Sequence, residues 1–262
     1  MEVRAKKALG QHFLTDQEVA ARIVAALGEK PGGADVSGGR TDVLEIGPGM
    51  GVLTRYLLQR EDINLKMVEL DRESTDYLLT HFPQMPGRLY QADYLKLDIH
   101  TLFPGQYSVI GNFPYNISSQ IFFKILDDRD LVPEVVCMVQ KEVAQRIACP
   151  PGSKVYGILS VLLQAWYDIE YLFTVEPGAF SPPPKVRSAV IRLRRNSRTE
   201  LGVDEKLFRQ VVKTAFNQRR KTLRNALKQL LPEGYDSPLL GMRAEQLSVE
   251  DFASLTADLS PR

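Results

Sequence analysis

Short apolar runs that alternate with amphipathic helical segments limit the fold of this chain more than any other feature of its sequence. Five runs are apolar enough to be buried strands, and apolar residues at helical spacing follow most of them. This alternation predicts an α/β protein with a Rossmann-like, doubly wound and mostly parallel sheet. The five predicted strands are 43–46, 65–69, 88–91, 107–110 and 135–139.

Two further strands complete the predicted sheet. Segments 169–175 and 189–193 follow a helix predicted at 156–166 and have no helical pattern between them. We therefore expect them to form an antiparallel pair at the edge of the sheet, which raises the total to seven strands.

The remaining segments suggest an arm, a spacer and a helical appendage. A helix capped at Thr15-Asp16 follows an N-terminal arm over 1–14, and a glycine-rich spacer at 32–39 precedes the first strand. Helical spacing of apolar residues resumes near 204, beyond a polar boundary at 195–198. We therefore expect an α/β domain over 1–197 and a small helical domain over 198–262.

The composition excludes several classes of protein. Hydrophobic residues make up 44% and charged residues 25% of the chain, which is average for a globular protein. No apolar run has the length that a bilayer requires, and the first residues lack the apolar core of a secretory signal, so we expect a cytoplasmic location without membrane contact. Cys137 and Cys149 have no ligand-spaced partners, so no metal is expected.

The distribution of charge is more informative than its total. Between 185 and 228 there are fourteen Lys or Arg residues against three acidic ones, a local charge of +11 in a chain of net charge +1. A basic segment on an otherwise acidic body favours nucleic-acid binding, although a solvated helix face with surplus Lys and Arg explains the run equally well by itself.

A glycine-rich turn follows the first strand, where open α/β sheets bind their ligands. Residues 45–51 read E-I-G-P-G-M-G, and Val52 stands where a dinucleotide fingerprint requires its third glycine. The spacing therefore favours a cofactor without a pyrophosphate. Glu69 ends the second strand, where a carboxylate can accept hydrogen bonds from both hydroxyl groups of a ribose. Asp93 ends the third strand, where its carboxylate can accept a hydrogen bond from the amino group of an adenine.

The tetrapeptide Asn112-Phe113-Pro114-Tyr115 follows the fourth strand at the same edge. The amino nitrogen of adenine is a weak nucleophile because its lone pair is delocalised into the ring. If the Asn112 side-chain oxygen and the Pro114 carbonyl accept its two N–H groups, the lone pair is freed to attack a sulfonium methyl group. Tyr115 offers a face on which a flipped-out base can stack. The pattern predicts methyl transfer to adenine without a general base.

These motifs closely resemble the adenine N6-dimethyltransferases of small-subunit ribosomal RNA. The resemblance rests on five blocks that occur in the family's order, namely 8–14, 44–54, 111–118, 176–188 and 216–223. It implies the S-adenosylmethionine methyltransferase fold, with S-adenosyl-L-methionine as cofactor and S-adenosyl-L-homocysteine as product. It also implies N6,N6-dimethylation of two adjacent adenines in the 3′-terminal hairpin loop of 16S rRNA, within the small ribosomal subunit or its precursor, by a monomer active late in ribosome assembly.

The resemblance also implies roles for individual residues. The expected cofactor contacts are Gln11, His12, Leu14, Glu45, Gly47, Gly49, Glu69, Asp93 and Asn112. Asn112, Pro114 and Tyr115 are expected to be catalytic, with Phe180 flanking the target base. The expected RNA contacts are Lys185 and Arg187, with Arg219, Arg220, Lys221 and Arg224 exposed together on a helix. Two positions depart from the family pattern: His12 stands where Asn is usual, and Phe113 where Leu is frequent.

Four other functions fit parts of the sequence. The related methyltransferases of 23S rRNA, which confer macrolide resistance, share the cofactor and catalytic motifs and are the main alternative. A DNA adenine methyltransferase usually carries a target-recognition domain, for which this chain has no room. A non-catalytic assembly or transcription factor does not need Glu69, Asp93 and Asn112 together. A dehydrogenase is disfavoured by Val52.

Overall fold

The computed structural model describes residue 3, residues 5–6, 9–28 and 39–260. The predicted glycine-rich spacer lies outside these residues except for Gly39, and so does Ala8 of the N-terminal arm. Contacts divide the chain into two compact units, one formed by 1–144 and 170–195 and the other by 145–169 and 196–262.

The first unit is built on a seven-stranded sheet. Its strands are β2 (Thr41–Ile46), β3 (Ile63–Glu69), β4 (Leu89–Gln91), β5 (Ser108–Asn112), β6 (Glu134–Gln140), β7 (Tyr167–Val175) and β9 (Ser188–Arg195), with a two-stranded sheet of β1 (Phe13–Leu14) and β8 (Phe180–Ser181) beside them. The helices between them are α1 (Gln17–Ala26), α2 (Val52–Leu57), α3 (Arg72–His81) and α4 (Ser118–Asp127), and α5 (Lys141–Ala148) follows β6 with its last four residues in the second unit.

The order of strands in the large sheet is β4-β3-β2-β5-β6-β9-β7. The pairs β3–β4, β2–β3, β2–β5 and β5–β6 are parallel, and β9 runs antiparallel to β6. All six residues of β2 are buried, as expected for a central strand covered on both faces. The predicted doubly wound, mostly parallel sheet of seven strands is therefore confirmed.

Local sequence explains where the first helix begins and which face it buries. The Asp16 carboxylate accepts the backbone N–H groups of Glu18 and Val19, which satisfies two donors at the start of α1. Ile23 and Val24 are buried on the face of the helix that meets the core. This helix and its cap agree with the sequence prediction.

The second unit is helical. Its helices are α6 (Ile158–Gln164), α7 (Glu205–Asn217), α8 (Leu223–Ala226) and α9 (Val249–Leu259), with single turns at Pro238–Gly241 and Ala244–Gln246. Asp204 caps α7 through its bond from the Leu207 N–H, and Phe208 and Phe216 lie on the buried face. The predicted α/β domain over 1–197 includes 145–169, whereas in the structure these residues belong to the second unit, because α6 packs against α7 and α9.

One expectation about the basic segment is wrong. Arg219, Arg220 and Lys221 are not on a helix, since α7 ends at Asn217 and a turn occupies the next residues. Arg224 lies on the separate four-residue helix α8. The apolar spacing continues across the turn because Leu223 and Leu227 remain buried. The spacing by itself therefore does not show that the helix ends before the turn. No helix in the described part of the chain is long and apolar enough to span a membrane.

Candidate active site

A cavity opens in the first unit beside the ends of β2, β3 and β5. It is bounded by the turn after β2, the strand-end acids, the segment after β5 and the arm that precedes α1. All nine residues predicted as cofactor contacts line it: Gln11, His12, Leu14, Glu45, Gly47, Gly49, Glu69, Asp93 and Asn112. Pro114 and Tyr115 line it too. The structure thus brings together residues that are up to 104 positions apart in the chain.

The glycine-rich turn presents bare backbone to the cavity. Gly47 has a φ of +66°, in the left-handed region that favours glycine, and a Cβ placed there would meet nothing within 4 Å. Gly49 has a φ of +57°, and a Cβ on it would lie 3.1 Å from the Phe13 ring. The turn therefore leaves room for a ligand at Gly47 and for the arm at Gly49.

Glu69 is held firmly by backbone donors. The Gly49 N–H donates to Oε2 at 3.0 Å, and the Asp71 N–H donates to Oε1 at 2.8 Å. Burial raises the pKa of Glu69, and the two backbone hydrogen bonds oppose that rise. The carboxylate is fixed at the end of β3 and each of its oxygens retains lone pairs that can accept ribose hydroxyls.

Glu45 lies at the start of the same turn and is only 1% exposed. Thr54 Oγ1, on α2, donates to its Oε2 at 2.7 Å. Burial raises the pKa of Glu45 to about 8, the hydrogen bonds from Thr54 oppose the rise, and the neighbouring Glu69 adds to it. At neutral pH this carboxyl group is therefore mostly protonated.

Asp93 follows β4 and is more exposed to solvent than Glu45 and Glu69. Its Oδ1 accepts the Leu95 N–H at 3.0 Å, its Oδ2 lies 3.6 Å from the Lys96 ammonium, and its side chain is 31% exposed. The cavity wall between Glu69 and Asp93 includes Leu70, which is 51% exposed. A planar base can lie against this apolar side chain while Asp93 accepts its amino group.

The catalytic tetrapeptide is in contact with the arm. Asn112 Nδ2 donates to the backbone oxygen of His12 at 3.1 Å, so Oδ1 is the accepting end of the amide. The His12 ring lies against Tyr115, with centroids 5.5 Å apart, and its Nδ1 is 2.9 Å from the Pro182 carbonyl oxygen. The Tyr115 hydroxyl is 2.5 Å from Ser188 Oγ. A base that stacks on Tyr115 must therefore use the other face of the ring or displace the imidazole.

Phe180 does not occupy the expected place beside a target base. It pairs with Leu14 in the two-stranded sheet, is 4% exposed and belongs to the hydrophobic core. The cluster of buried side chains that contains Phe180 also contains Leu14 of the arm, with Val175 and Ala179. In this conformation Phe180 stabilises the core next to the site and is not available to a base.

The predicted RNA contacts differ in their availability. Lys185, Arg220 and Lys221 are exposed. Arg187 lies 3.6 Å from Glu176, Arg219 donates to the Lys154 carbonyl, and Arg224 lies 2.6 Å from Asp236. These last three side chains already have partners within their own unit.

Several residues of the site are not among those predicted from the sequence. Thr54 contacts Glu45, Ser188 contacts Tyr115, and three apolar or aromatic side chains line the cavity: Met50, Leu70 and Tyr94. Leu70 and Tyr94 directly follow the two strand-end acids, so their positions were a usable signal. Nothing in the local sequence around Ser188 indicates its contact with Tyr115.

The sheet, its glycine-rich turn and the strand-end acids define a class of protein. Together with an Asn-Phe-Pro-Tyr segment at the same cavity, they are the features of an S-adenosylmethionine-dependent methyltransferase. The sequence model of the family described as "Ribosomal RNA adenine dimethylase" matches residues 2–259. The chain belongs to the ribosomal RNA adenine dimethylase family.

Individual relatives agree with this assignment. The chain is 59% identical over 257 residues to a ribosomal RNA small subunit methyltransferase A from Parabacteroides distasonis, covering 97% of this chain and 93% of that protein. A dimethyladenosine transferase from Plasmodium falciparum, 23% identical, shares the fold with a TM-score of 0.75 over 93% of this chain and 96% of its own. The 23S rRNA methyltransferase ErmE superposes with a TM-score of 0.63 at 25% identity, over 94% of this chain and 99% of its own. The protein is therefore an enzyme that uses S-adenosylmethionine to dimethylate adenine in ribosomal RNA.

Proposed function

We propose that this enzyme dimethylates N6 of two adjacent adenines in the 3′-terminal hairpin loop of 16S rRNA. The substrate is the small ribosomal subunit or its precursor, the enzyme acts as a cytoplasmic monomer late in subunit assembly, and no role is assigned to a metal. The observation that carries the proposal is the placement of Asn112 to Tyr115 on the cavity that holds Glu69 and Asp93. The names of the 59% and 55% identical relatives, which specify the small subunit, support the choice of RNA.

The residues of the cavity fit the cofactor. The backbone at Gly47 leaves space for a close approach, Glu69 offers lone pairs for a ribose, and Asp93 can accept an adenine amino group. Glu45 supplies a carboxyl group at the turn, where its negative charge can balance the positive charge of a cationic ligand. When bound, the cofactor supplies an electrophilic methyl group.

The tetrapeptide presents the nucleophile. Asn112 Oδ1 and the Pro114 carbonyl oxygen accept the two hydrogens of the adenine amino group, which draws that nitrogen toward tetrahedral geometry and exposes its lone pair. The contact between Asn112 Nδ2 and His12 holds the amide in the required orientation. The tetrapeptide therefore positions the nitrogen and does not remove a proton.

The RNA is held by exposed cations. Arg220 and Lys221 are the side chains of the basic turn that the structure leaves exposed, and Lys185 is exposed in the segment between β8 and β9. Phosphate contacts release counterions, so their loss lowers both affinity and its dependence on salt. A double reversal, Arg220→Glu with Lys221→Glu, is expected to weaken binding to small subunits and to flatten the salt dependence. Unchanged binding and salt slope would remove these two residues from the interface.

The substrate is tested by mapping methylated adenines with mass spectrometry. Unmodified small subunits and, separately, large subunits are incubated with the enzyme and labelled cofactor. We expect two dimethylated adenines in the 3′-terminal hairpin loop of 16S rRNA and no label in 23S rRNA. Label on 23S rRNA alone would identify the macrolide-resistance type of enzyme and overturn the proposed substrate.

The mechanism is tested with Asn112→Ala and a matched control. The variant is expected to lose methyl transfer while it retains most of its cofactor affinity, because the amide acts chiefly on the substrate nitrogen. Asn64→Ala is the control and should retain turnover. Asn64 lies near the start of β3, at the other end of the strand from Glu69, and does not line the cavity. Normal turnover by Asn112→Ala would contradict the mechanism.

A further inference from the structure

The cavity has an unusual charge composition. Three carboxyl groups line it, those of Glu45, Glu69 and Asp93, and none of the described residues that line it is Lys or Arg. His12, in the arm, is the basic side chain of the lining. A positively charged ligand is therefore favoured. In the absence of such a ligand, the protein must hold several acidic groups close together.

The three carboxyl groups are compensated to different degrees. Glu69 accepts two backbone N–H groups, and Asp93 accepts one and lies near an ammonium group at the edge of the cavity. Glu45 is the most deeply buried of the three and is bonded by Thr54. Glu69 on β3 is the charged group that acts on it, while its partner on α2 is neutral. Burial and the like charge of Glu69 together favour the protonated form of Glu45.

We propose that Glu45 holds a proton in the cofactor-free enzyme and releases it when the cationic cofactor binds. The O–H bond of the Glu45 carboxyl breaks, the proton passes to the solvent, and the resulting carboxylate balances the positive charge that enters the cavity. This inference rests on the proposed use of S-adenosylmethionine. It makes Glu45 a residue that selects for the charge of the ligand, in addition to its place in the wall of the cavity.

The pH dependence of binding follows from linkage. With a pKa of about 8 in the free enzyme, Glu45 is mostly protonated at pH 7 and mostly ionised at pH 9. The affinity for S-adenosylmethionine should rise nearly tenfold per pH unit below about pH 8 and level off above it. S-adenosylhomocysteine lacks the sulfonium charge, so we expect it to release less of a proton and to show a shallower rise.

The test is isothermal titration calorimetry of the full chain with S-adenosylmethionine. Titrations at one pH in buffers of different ionisation enthalpy give the number of protons released. We expect most of a proton at pH 7 and little at pH 9. Glu45→Gln keeps an acceptor for Thr54 and should release almost none at either pH. Glu61→Gln is the matched control, because it removes an exposed acid outside the cavity lining and should release as much of a proton as the wild-type enzyme at each pH.

The possible outcomes separate this inference from the proposed function. Cofactor binding by the wild-type enzyme without proton release at pH 7 would overturn the inference alone, as would full release by Glu45→Gln. The absence of any binding would overturn the use of the cofactor and the inference with it. If Glu45→Gln does not bind, the infrared difference spectrum of the wild-type enzyme decides. Loss of the protonated-carboxyl C=O band on cofactor binding supports the inference, and an unchanged band refutes it.

Discussion

Replacement of the buried acid Glu45 by glutamine should stabilise the protein in a pH-dependent way. The ordinary pKa of the group is 4.5 and its pKa in the folded protein is about 8, so between these values the folded state binds one proton more than the unfolded state. The free energy of unfolding therefore falls with rising pH by about 1.4 kcal/mol per unit in this window. The stability associated with this group is fully present below pH 4.5 and is lost as pH rises through 8.

The size of the effect follows from the same two values. Over about 3.5 pH units the loss amounts to about 5 kcal/mol, an order-of-magnitude upper value. Glutamine has the same shape, stays neutral and still accepts the Thr54 hydroxyl. We therefore expect Glu45→Gln to match the wild-type protein within about 1 kcal/mol at pH 5 and to exceed it by several kcal/mol at pH 8.5.

The assay must report on the unit that contains the substitution. Trp166, the sole tryptophan of the chain, lies in the second unit, so its fluorescence follows the wrong part of the protein. Hydrogen exchange of the amides of β2, measured at both pH values, reports on the sheet that carries Glu45. Wild-type protein, Glu45→Gln and the exposed control Glu61→Gln are compared.

Two results would refute this reasoning. One is a difference between Glu45→Gln and the wild-type protein that stays constant from pH 5 to pH 8.5. The other is a variant that is less stable at pH 8.5 than the wild-type protein. A comparable gain in Glu61→Gln would show that the effect arises from net charge and not from burial.

Three further substitutions test other parts of the structure. Phe208→Ala removes a buried ring from α7 and should lower the free energy of unfolding of the second unit by about 3–5 kcal/mol, followed by Trp166 fluorescence. Gly49→Ala places a Cβ at positive φ and 3.1 Å from Phe13, so it should weaken cofactor binding measured by calorimetry. Tyr115→Phe keeps the ring but loses a hydrogen bond, and should cost about 1 kcal/mol in thermal unfolding while methylation persists.

The strands of the sheet could be predicted because a central parallel strand is apolar over its whole length. The runs predicted at 43–46 and 135–139 lie within β2 and β6, which are buried almost throughout. Helix α5 was missed because it begins directly where β6 ends and buries little more than Ala144 and Ile147. So few apolar positions do not produce a recognisable helical period.

The assignment of 145–169 to the second unit could not be derived from local sequence. Leu159, Val161 and Leu163 of α6 are buried, and such an apolar helix can cover a sheet or join a helical bundle equally well. Its partners, α7 and α9, lie more than forty residues further along the chain. Periodicity shows that a face is buried but not which distant element covers it.

The residues of the site likewise divide into those that the sequence predicts and those that it does not. Glu69, Asp93 and Asn112 could be predicted to meet because the carboxyl ends of parallel strands share one edge of the sheet. The place of Phe180 could not, because it depends on the pairing of two-residue strands that are 166 positions apart. Residues set by the topology of the sheet were therefore predictable from the strand pattern, whereas the burial of Phe180 beside the arm was not.

The protonation of Glu45 connects the stability of the fold with the selectivity of the site. A neutral glutamine would satisfy Thr54 and remove the penalty of burying a charge, so the fold by itself has no need of a carboxyl group there. None of the described residues that line the cavity is a Lys or Arg that could compensate an ionised Glu45. The compensating charge must then arrive with the ligand. A cationic cofactor supplies it and a neutral nucleoside does not, so the same burial that lowers stability above pH 4.5 makes the cavity discriminate by charge.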